Sequence, residues 1–178
     1  MHSLVRNTFA IVLGFGVVGA ASAQVVRNTN GPGPHNILES VTIPANAEVL
    51  ALSGVVPQAI DPAKRPEKIE DLGDTKTQTT SVLNQIKTIL ERRGYKMSDV
   101  VRMTVYLTAD PKSKEGRMDF QGMNAAYRTF FGTAENPNVV ARSTVQVSAL
   151  ANPFYLVEIE VTAAKAPTRT AAADSTAK

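Results

Sequence analysis

One arginine and two glutamates near the end of the chain are the residues best suited to chemistry. Arg142 lies in the alternating segment "VVARSTVQVS", while Glu158 and Glu160 lie in the next such segment, "FYLVEIEVTA". An arginine fork can hold a carboxylate through two parallel hydrogen bonds, and a glutamate can accept a proton from water. The pattern therefore fits either a substrate site or an ordinary cross-strand ion pair. Spacing alone favours the ion pair.

Other kinds of site have little support in the sequence. There is no cysteine, which excludes thiol catalysis, thiolate metal sites and disulfides. His2 lies in the N-terminal apolar segment, and His35, within "GPGPHN", is predicted to be a solvated loop residue. The net charge of +3 is dispersed along the chain, so no nucleic-acid surface is indicated. No cofactor and no metal are expected.

The two ends of the chain differ from the middle. Residues 1–23 combine a basic start, an apolar run and the small-residue site Ala21-Ser22-Ala23, which predicts a signal peptide cleaved after Ala23 and a periplasmic or secreted protein. An uncleaved anchor is the alternative, but the apolar run is shorter than the roughly 20 residues that a span needs. Residues 24–44 form a lead-in whose Gly/Pro-rich first part is expected to be mobile. Residues 166–178 are predicted to be a disordered tail.

The segment 45–165 carries the pattern of one α+β domain. A short apolar strand ends at Ser53-Gly54, and a charged loop with three prolines follows. Helical spacing predicts a helix from Asp74 to Gly94 and a second over Glu115 to Phe131, separated by an alternating strand at Val101–Leu107. The two alternating segments that hold Arg142 and Glu158 are joined by "ALANP", which predicts antiparallel neighbours. The expected fold is a sheet with two helices on one face.

Several segments together resemble the reactive-intermediate deaminase family, also known as the YjgF or L-PSP endoribonuclease family. They are "LSGVVP", "QTTSVLNQIKTILERRGYKMSDVVRMTVYLT", "MNAAYRTFFG" and "ARSTVQVSALANPFYLVEIEVTA", and they cover about Ala45 to Ala164. The resemblance implies a chorismate-mutase-like α+β fold, YjgF-like, with a mixed sheet and two helices on one face. It also implies a homotrimer with a ligand cleft at each subunit interface. The implied activity is the cofactor-independent hydrolysis of imines such as 2-iminopropanoate and 2-iminobutanoate.

The resemblance also implies roles for particular residues. Arg142 matches the arginine that binds the substrate carboxylate, and Glu158 matches the glutamate that activates water. Thr144 falls where the backbone helps to hold that water, and Ser53 and Gly54 match a pair beside the cleft. Two departures stand out. Ser40 occupies the position where many members carry a cleft-lining tyrosine, and the loop after Pro57 is unusually charged.

Two other functions remain open on the sequence alone. A non-catalytic, chaperone-like periplasmic trimer that binds small carboxylates would keep the same arginine. Ribonuclease activity is the weakest alternative, because the chain has neither a basic stripe nor a pair of histidines. The expected partners are a small carboxylate-bearing imine or 2-oxo acid and two further copies of the chain, with no nucleic acid and no membrane after cleavage of the signal.

Overall fold

A computed structural model describes residues 24–167 of the protein. The predicted signal peptide, residues 1–23, and residues 168–178 of the predicted tail lie outside the described residues, so export stays a prediction. The helices and strands are β1 (Val26–Asn28), β2 (Ser40–Thr42), β3 (Glu48–Ala51), α1 (Thr75–Arg92), β4 (Val100–Leu107), α2 (Phe120–Tyr127), β5 (Ala141–Gln146) and β6 (Val157–Lys165).

The main sheet has four strands in the order β3-β6-β4-β5. The pairs β3/β6 and β4/β6 are antiparallel, whereas β4/β5 is parallel, so the sheet is mixed. Helices α1 and α2 contact each other, and their apolar sides join alternate residues of β4 and β6 in one core. The prediction of an α+β fold with two helices on one face of a mixed sheet is confirmed.

Helix α1 follows the sequence prediction closely. The Asp74 carboxylate accepts a hydrogen bond from the Thr77 amide at 2.9 Å and caps its start. Its apolar stripe, which includes Val82, Leu83 and Ile86, is fully buried, and Gly94 ends the turn with a φ of 74° that favours glycine. Among residues 24–167, no helix has the length and apolar character needed to span a bilayer.

The predicted antiparallel pairing of the strands that carry Arg142 and Glu158 is wrong. β4 lies between β5 and β6 and pairs with both. Residues 147–156 cross the end of β4, where the Val147 amide donates to the Leu107 carbonyl at 2.8 Å and the Thr108 amide donates to the Leu156 carbonyl at 3.1 Å. The connection between β5 and β6 is longer than the predicted "ALANP" segment, because residues 147–148 and 154–156 on either side of it do not belong to the strands. An Arg142–Glu158 cross-strand pair is therefore excluded.

Helix α2 is shorter than the predicted Glu115–Phe131. It begins after Asp119, whose carboxylate accepts a hydrogen bond from the Gly122 amide at 2.8 Å. The preceding residues turn back instead, with Gly116 at a φ of 65° and the Asp110 amide bonded to the Arg117 carbonyl. The carboxylate cap thus sets the start of the helix at a point that periodicity did not identify.

The lead-in contacts the rest of the domain at several points, while the mobility expected of its Gly/Pro-rich part stays a prediction. Strand β1 pairs with β2, and the Arg27 guanidinium donates to the carbonyls of Ser98 and Val100 just before and at the start of β4. Further along, the Leu38 amide donates to the Val140 carbonyl at 3.0 Å beside the edge strand β5. These contacts hold residues 34–39 against the domain, next to Arg142.

Candidate functional site

Arg142 lies between β5 and helix α2. It pairs with Met103, a buried residue of β4, so its side chain is on the face of the sheet that the helices cover. Its Nη2 donates to Asn124 Oδ1 at 2.8 Å, and its Cζ lies 4.4 Å from the centre of the Tyr127 ring and 6.0 Å from that of Phe120. The guanidinium is thereby fixed in position by α2 without help from a carboxylate.

The electrostatic setting of Arg142 is unusual for a structural arginine. Burial lowers the pKa of its guanidinium; Tyr127 acts in the opposite direction, and the positive charge of Arg128 lowers the pKa further. In residues 24–167, Arg142 takes part in no ion pair. A partly buried charge without a counterion is costly, so this position favours an anionic ligand.

Helix α2 presents Asn124 and Tyr127 to Arg142 because residues three apart share a helix face. Both side chains are buried, and Tyr127 also stacks on Phe131 at a centroid distance of 4.9 Å. Tyr127 and Phe131 both belong to the core, and Tyr127 additionally forms the surface on which the guanidinium rests. The sequence analysis did not predict a role for Asn124. Its position three residues before Tyr127, which places both on one face of a helix, could have indicated one.

Thr144 lies two residues beyond Arg142 and faces the same side of the sheet, opposite Val105 of β4. Its Oγ1 is buried and is one of three such side-chain atoms in residues 24–167 that lack a hydrogen-bond partner. A buried hydroxyl without a partner is unfavourable unless a ligand or water completes it. Thr144 and Arg142 therefore form one half of the candidate site.

Glu158 lies on the opposite face of the sheet. It pairs with Tyr106 of β4, and its neighbours Val157 and Ile159 point into the core, so the Glu158 side chain points away from the helices. Its carboxylate lies against the backbone of Gly54, where a Cβ would come within 2.7 Å of Glu158 Cδ. The backbone of Val55 pairs with Ile159, which brings the Ser53-Gly54 segment to this strand. Ser53, Gly54 and Glu158 form the other half.

The predicted site residues are thus brought together as two groups rather than one. Arg142 and Thr144 lie on the helix side of β5, whereas Ser53, Gly54 and Glu158 lie on the uncovered side of the sheet. Because adjacent side chains alternate between faces, no rotamer change within one protomer brings the Arg142 fork to the Glu158 carboxylate. A site that contains both must take them from two copies of the chain.

Other acids and aromatics near Glu158 have local partners. Glu160 Oε2 accepts a hydrogen bond from the Tyr106 hydroxyl at 3.1 Å, and this bond raises the pKa of Tyr106. Ser40, at the expected tyrosine position, is exposed and accepts a hydrogen bond from the Asn28 side chain at 3.0 Å. Within the described part of the chain, no group of three histidine, aspartate or glutamate side chains is placed to hold a metal ion.

An open groove of about 600 Å³ lies beside Arg142, between the lead-in and the start of α2, and is termed the Arg142 groove. The lining residues on which its chemistry depends are His35, Glu39, Phe120, Asn124, Arg128 and Arg142. The sequence predicted His35 to be a solvated loop residue, but it is only partly exposed, and its Nε2 donates to the Gly31 carbonyl at 2.9 Å. No sequence pattern indicates that His35 and Arg128 share a groove with Arg142, because their proximity depends on the folded lead-in.

Comparison with known families agrees with this arrangement of helices and strands. The model of the family described as Endoribonuclease L-PSP matches residues 39–165, which include both halves of the candidate site. The chain belongs to this family. The L-PSP match begins within the segment that was predicted to be a lead-in, in agreement with the ordered β2 strand found there.

Individual relatives give the L-PSP assignment more detail. A RutC family protein of Pyrococcus horikoshii is 37% identical over 142 residues, which cover 80% of this chain and 98% of the relative. A protein of Escherichia coli named 2-iminobutanoate/2-iminopropanoate deaminase is 33% identical over 100 residues, covering 56% of this chain and 71% of the relative. A crystal structure of a Rid family protein from Yersinia pestis matches with a TM-score of 0.57 and 25% identity, covering 77% of this chain and 97% of that one.

Proposed function

We propose that the protein hydrolyses small 2-imino acids to 2-oxo acids and ammonia without a cofactor, as a homotrimer with one site at each interface. Membership of the L-PSP family and similarity to a named imine deaminase support the reaction class. The observation that carries the proposal is the partly buried Arg142 guanidinium, which Asn124 and Tyr127 position and no carboxylate within residues 24–167 neutralises. The carboxylate of a 2-imino acid supplies the missing anion through two charge-assisted hydrogen bonds.

The proposed reaction needs only positioning and proton transfer. With the substrate carboxylate on Arg142, Glu158 of the partner subunit accepts a proton from water while the water oxygen adds to the imine carbon. Glu158 of the partner subunit passes this proton to the imine nitrogen, which restores its carboxylate and gives a neutral carbinolamine. Proton transfer from its hydroxyl to the amine, with cleavage of the carbon–nitrogen bond, then releases ammonia and the 2-oxo acid. We assign the binding of the water or the carboxylate to Thr144 as well, because its buried hydroxyl has no hydrogen-bond partner within residues 24–167.

The decisive experiment compares two neighbouring acids on one strand. We expect Glu158→Gln to lower kcat for 2-iminopropanoate hydrolysis by about 100-fold or more, because the amide cannot accept the proton. Glu160→Gln is the matched control, since Glu160 is already bonded to Tyr106, and should stay within about threefold of wild type. An amino-acid oxidase generates the imine from alanine, and the rate above spontaneous hydrolysis is measured with protein that begins at Gln24.

The same assay separates catalysis from binding alone. Full activity of Glu158→Gln would contradict the proposed mechanism. If the wild-type protein adds nothing to the spontaneous rate yet binds pyruvate in a manner that depends on Arg142, the non-catalytic carboxylate-binding function is correct instead. Calorimetric titration of pyruvate into wild type and Arg142→Ala provides this second measurement.

Gly54 is predicted to position the Glu158 carboxylate. A methyl group at residue 54 would overlap that carboxylate, so Gly54→Ala should displace it and lower kcat by about tenfold or more. Pyruvate binding should change little, because its carboxylate is bound by Arg142 of the neighbouring subunit and the added methyl group meets Glu158. Steady-state kinetics and calorimetry on the same preparation test both parts. An unchanged kcat would show that the carboxylate acts from another position.

A further inference from the structure

The Arg142 groove extends beyond the single cation that the proposed reaction uses. Arg128 lies one turn past Asn124 at the C-terminal end of α2, lines the same groove as Arg142 and has an exposed side chain. The lead-in forms the opposite wall through His35 and Glu39. The groove is therefore a two-sided cleft with an arginine at its inner surface and another at its outer surface.

The charges of the groove are not balanced within the protomer. Neither Arg128 nor Arg142 takes part in an ion pair within residues 24–167. Among the described residues that line the groove, Glu39 is the one carboxylate, and it is exposed to solvent and paired with neither arginine. Two like charges in a partly desolvated cleft repel each other, and an anion that contacts both relieves the repulsion.

A small monocarboxylate can neutralise only one of these cations. Once its carboxylate occupies the Arg142 fork, a methyl or ethyl side chain leaves the Arg128 end of the groove to water. A second carboxylate on the substrate side chain would meet the Arg128 guanidinium in the planar, two-bond geometry that arginine favours. The apolar surface for the intervening carbons is the Phe120 ring, which also lines the groove.

We propose that the preferred substrates are dicarboxylic 2-imino acids, with the 2-carboxylate on Arg142 and the side-chain carboxylate on Arg128. This inference rests on the proposed function for its catalytic part, but the preference for two carboxylates concerns binding and stands on the groove itself. Arg128 is a specificity residue that contacts the side chain of the substrate and not the reacting carbon. Replacement of Arg128 should thus change the ratio of kcat/KM values between substrates more than it changes the rate of the chemical step.

The kinetic experiment compares 2-iminoglutarate with 2-iminopropanoate, generated by oxidases from glutamate and alanine. Wild type should show a higher kcat/KM for the dicarboxylic imine. Arg128→Gln should lower that value by about tenfold, mainly through KM, and should leave 2-iminopropanoate within about twofold. Arg92→Gln, an equal change of charge on the exposed last turn of α1, is the control and should alter neither substrate.

A binding experiment keeps the inference testable when turnover fails. Calorimetry with 2-oxoglutarate and 2-oxobutanoate should show tighter binding of the dicarboxylate to wild type and loss of that preference in Arg128→Gln. If no imine is hydrolysed but this preference is found, the proposed function fails and the dicarboxylate site stands. If 2-iminopropanoate is hydrolysed but Arg128→Gln affects both substrates equally, or neither, the dicarboxylate inference is overturned and the proposed function is retained.

Discussion

Mixed trimers of two inactive variants, Arg142→Ala and Glu158→Gln, are expected to recover about one third of the wild-type activity. Each variant alone should be at least about 100-fold less active than wild type, because one lacks the carboxylate-binding fork and the other lacks the proton acceptor. The two residues lie on opposite faces of the sheet, so under the proposed mechanism each site takes one from each of two neighbouring subunits. Any cyclic trimer that contains both variants then has about one intact site in three.

The measurement requires trimers that contain both chains. Co-expression with two different affinity tags, followed by purification on both, isolates them, and imine hydrolysis is assayed per trimer. The control is a trimer purified on both tags in which every chain carries Arg142→Ala. It should stay inactive. Mixed trimers with no more activity than their parents would show that each site is built within one subunit, and would contradict the two-face arrangement.

Replacement of Gln78 by leucine is expected to cause a large loss of stability. Gln78 is fully buried at the start of α1, and its side-chain amide makes three hydrogen bonds to the backbone: Nε2 donates to the carbonyls of Gly73 and Phe154, and Oε1 accepts from the Leu156 amide at 2.8 Å. A leucine of similar size would leave these three backbone groups without partners. We expect the free energy of unfolding to fall by about 3 kcal/mol.

Chemical denaturation at a fixed protein concentration measures this difference, since oligomers unfold in a concentration-dependent way. Gln121→Leu makes the same replacement on the exposed side of α2 and should change stability by less than about 0.5 kcal/mol. A loss in Gln78→Leu no larger than in this control would mean that water satisfies the freed groups. The prediction would then be wrong.

Local pattern predicted the elements of the fold well because local contacts determine them. The spacing of Val82, Leu83 and Ile86 and the Asp74 cap define α1, and alternation defines β4. The start of α2 was missed because it depends on one carboxylate, Asp119, bonding to the Gly122 amide. Gln78 was missed because a single polar residue at a buried position leaves no periodic signal.

Strand order and the face that carries each site residue could not be predicted from the same pattern. Alternation correctly groups Arg142 with Thr144, but it does not say which face the helices cover. The face on which each residue lies follows from the placement of β4 between β5 and β6. These strand pairings join residues that are far apart in sequence. Family resemblance supplied the candidate residues, whereas their separation into two groups required the folded chain.

Because Arg142 and Glu158 lie on opposite faces, the monomer and the assembled protein are expected to differ in activity. Under the proposed mechanism, a newly folded monomer carries an anion-binding half and a proton-accepting half that cannot act on the same molecule. Reactivity toward imines would therefore begin only when copies meet, and it would be lost again on dissociation. Assembly would serve as the activation step of the enzyme, with no need for a separate regulator.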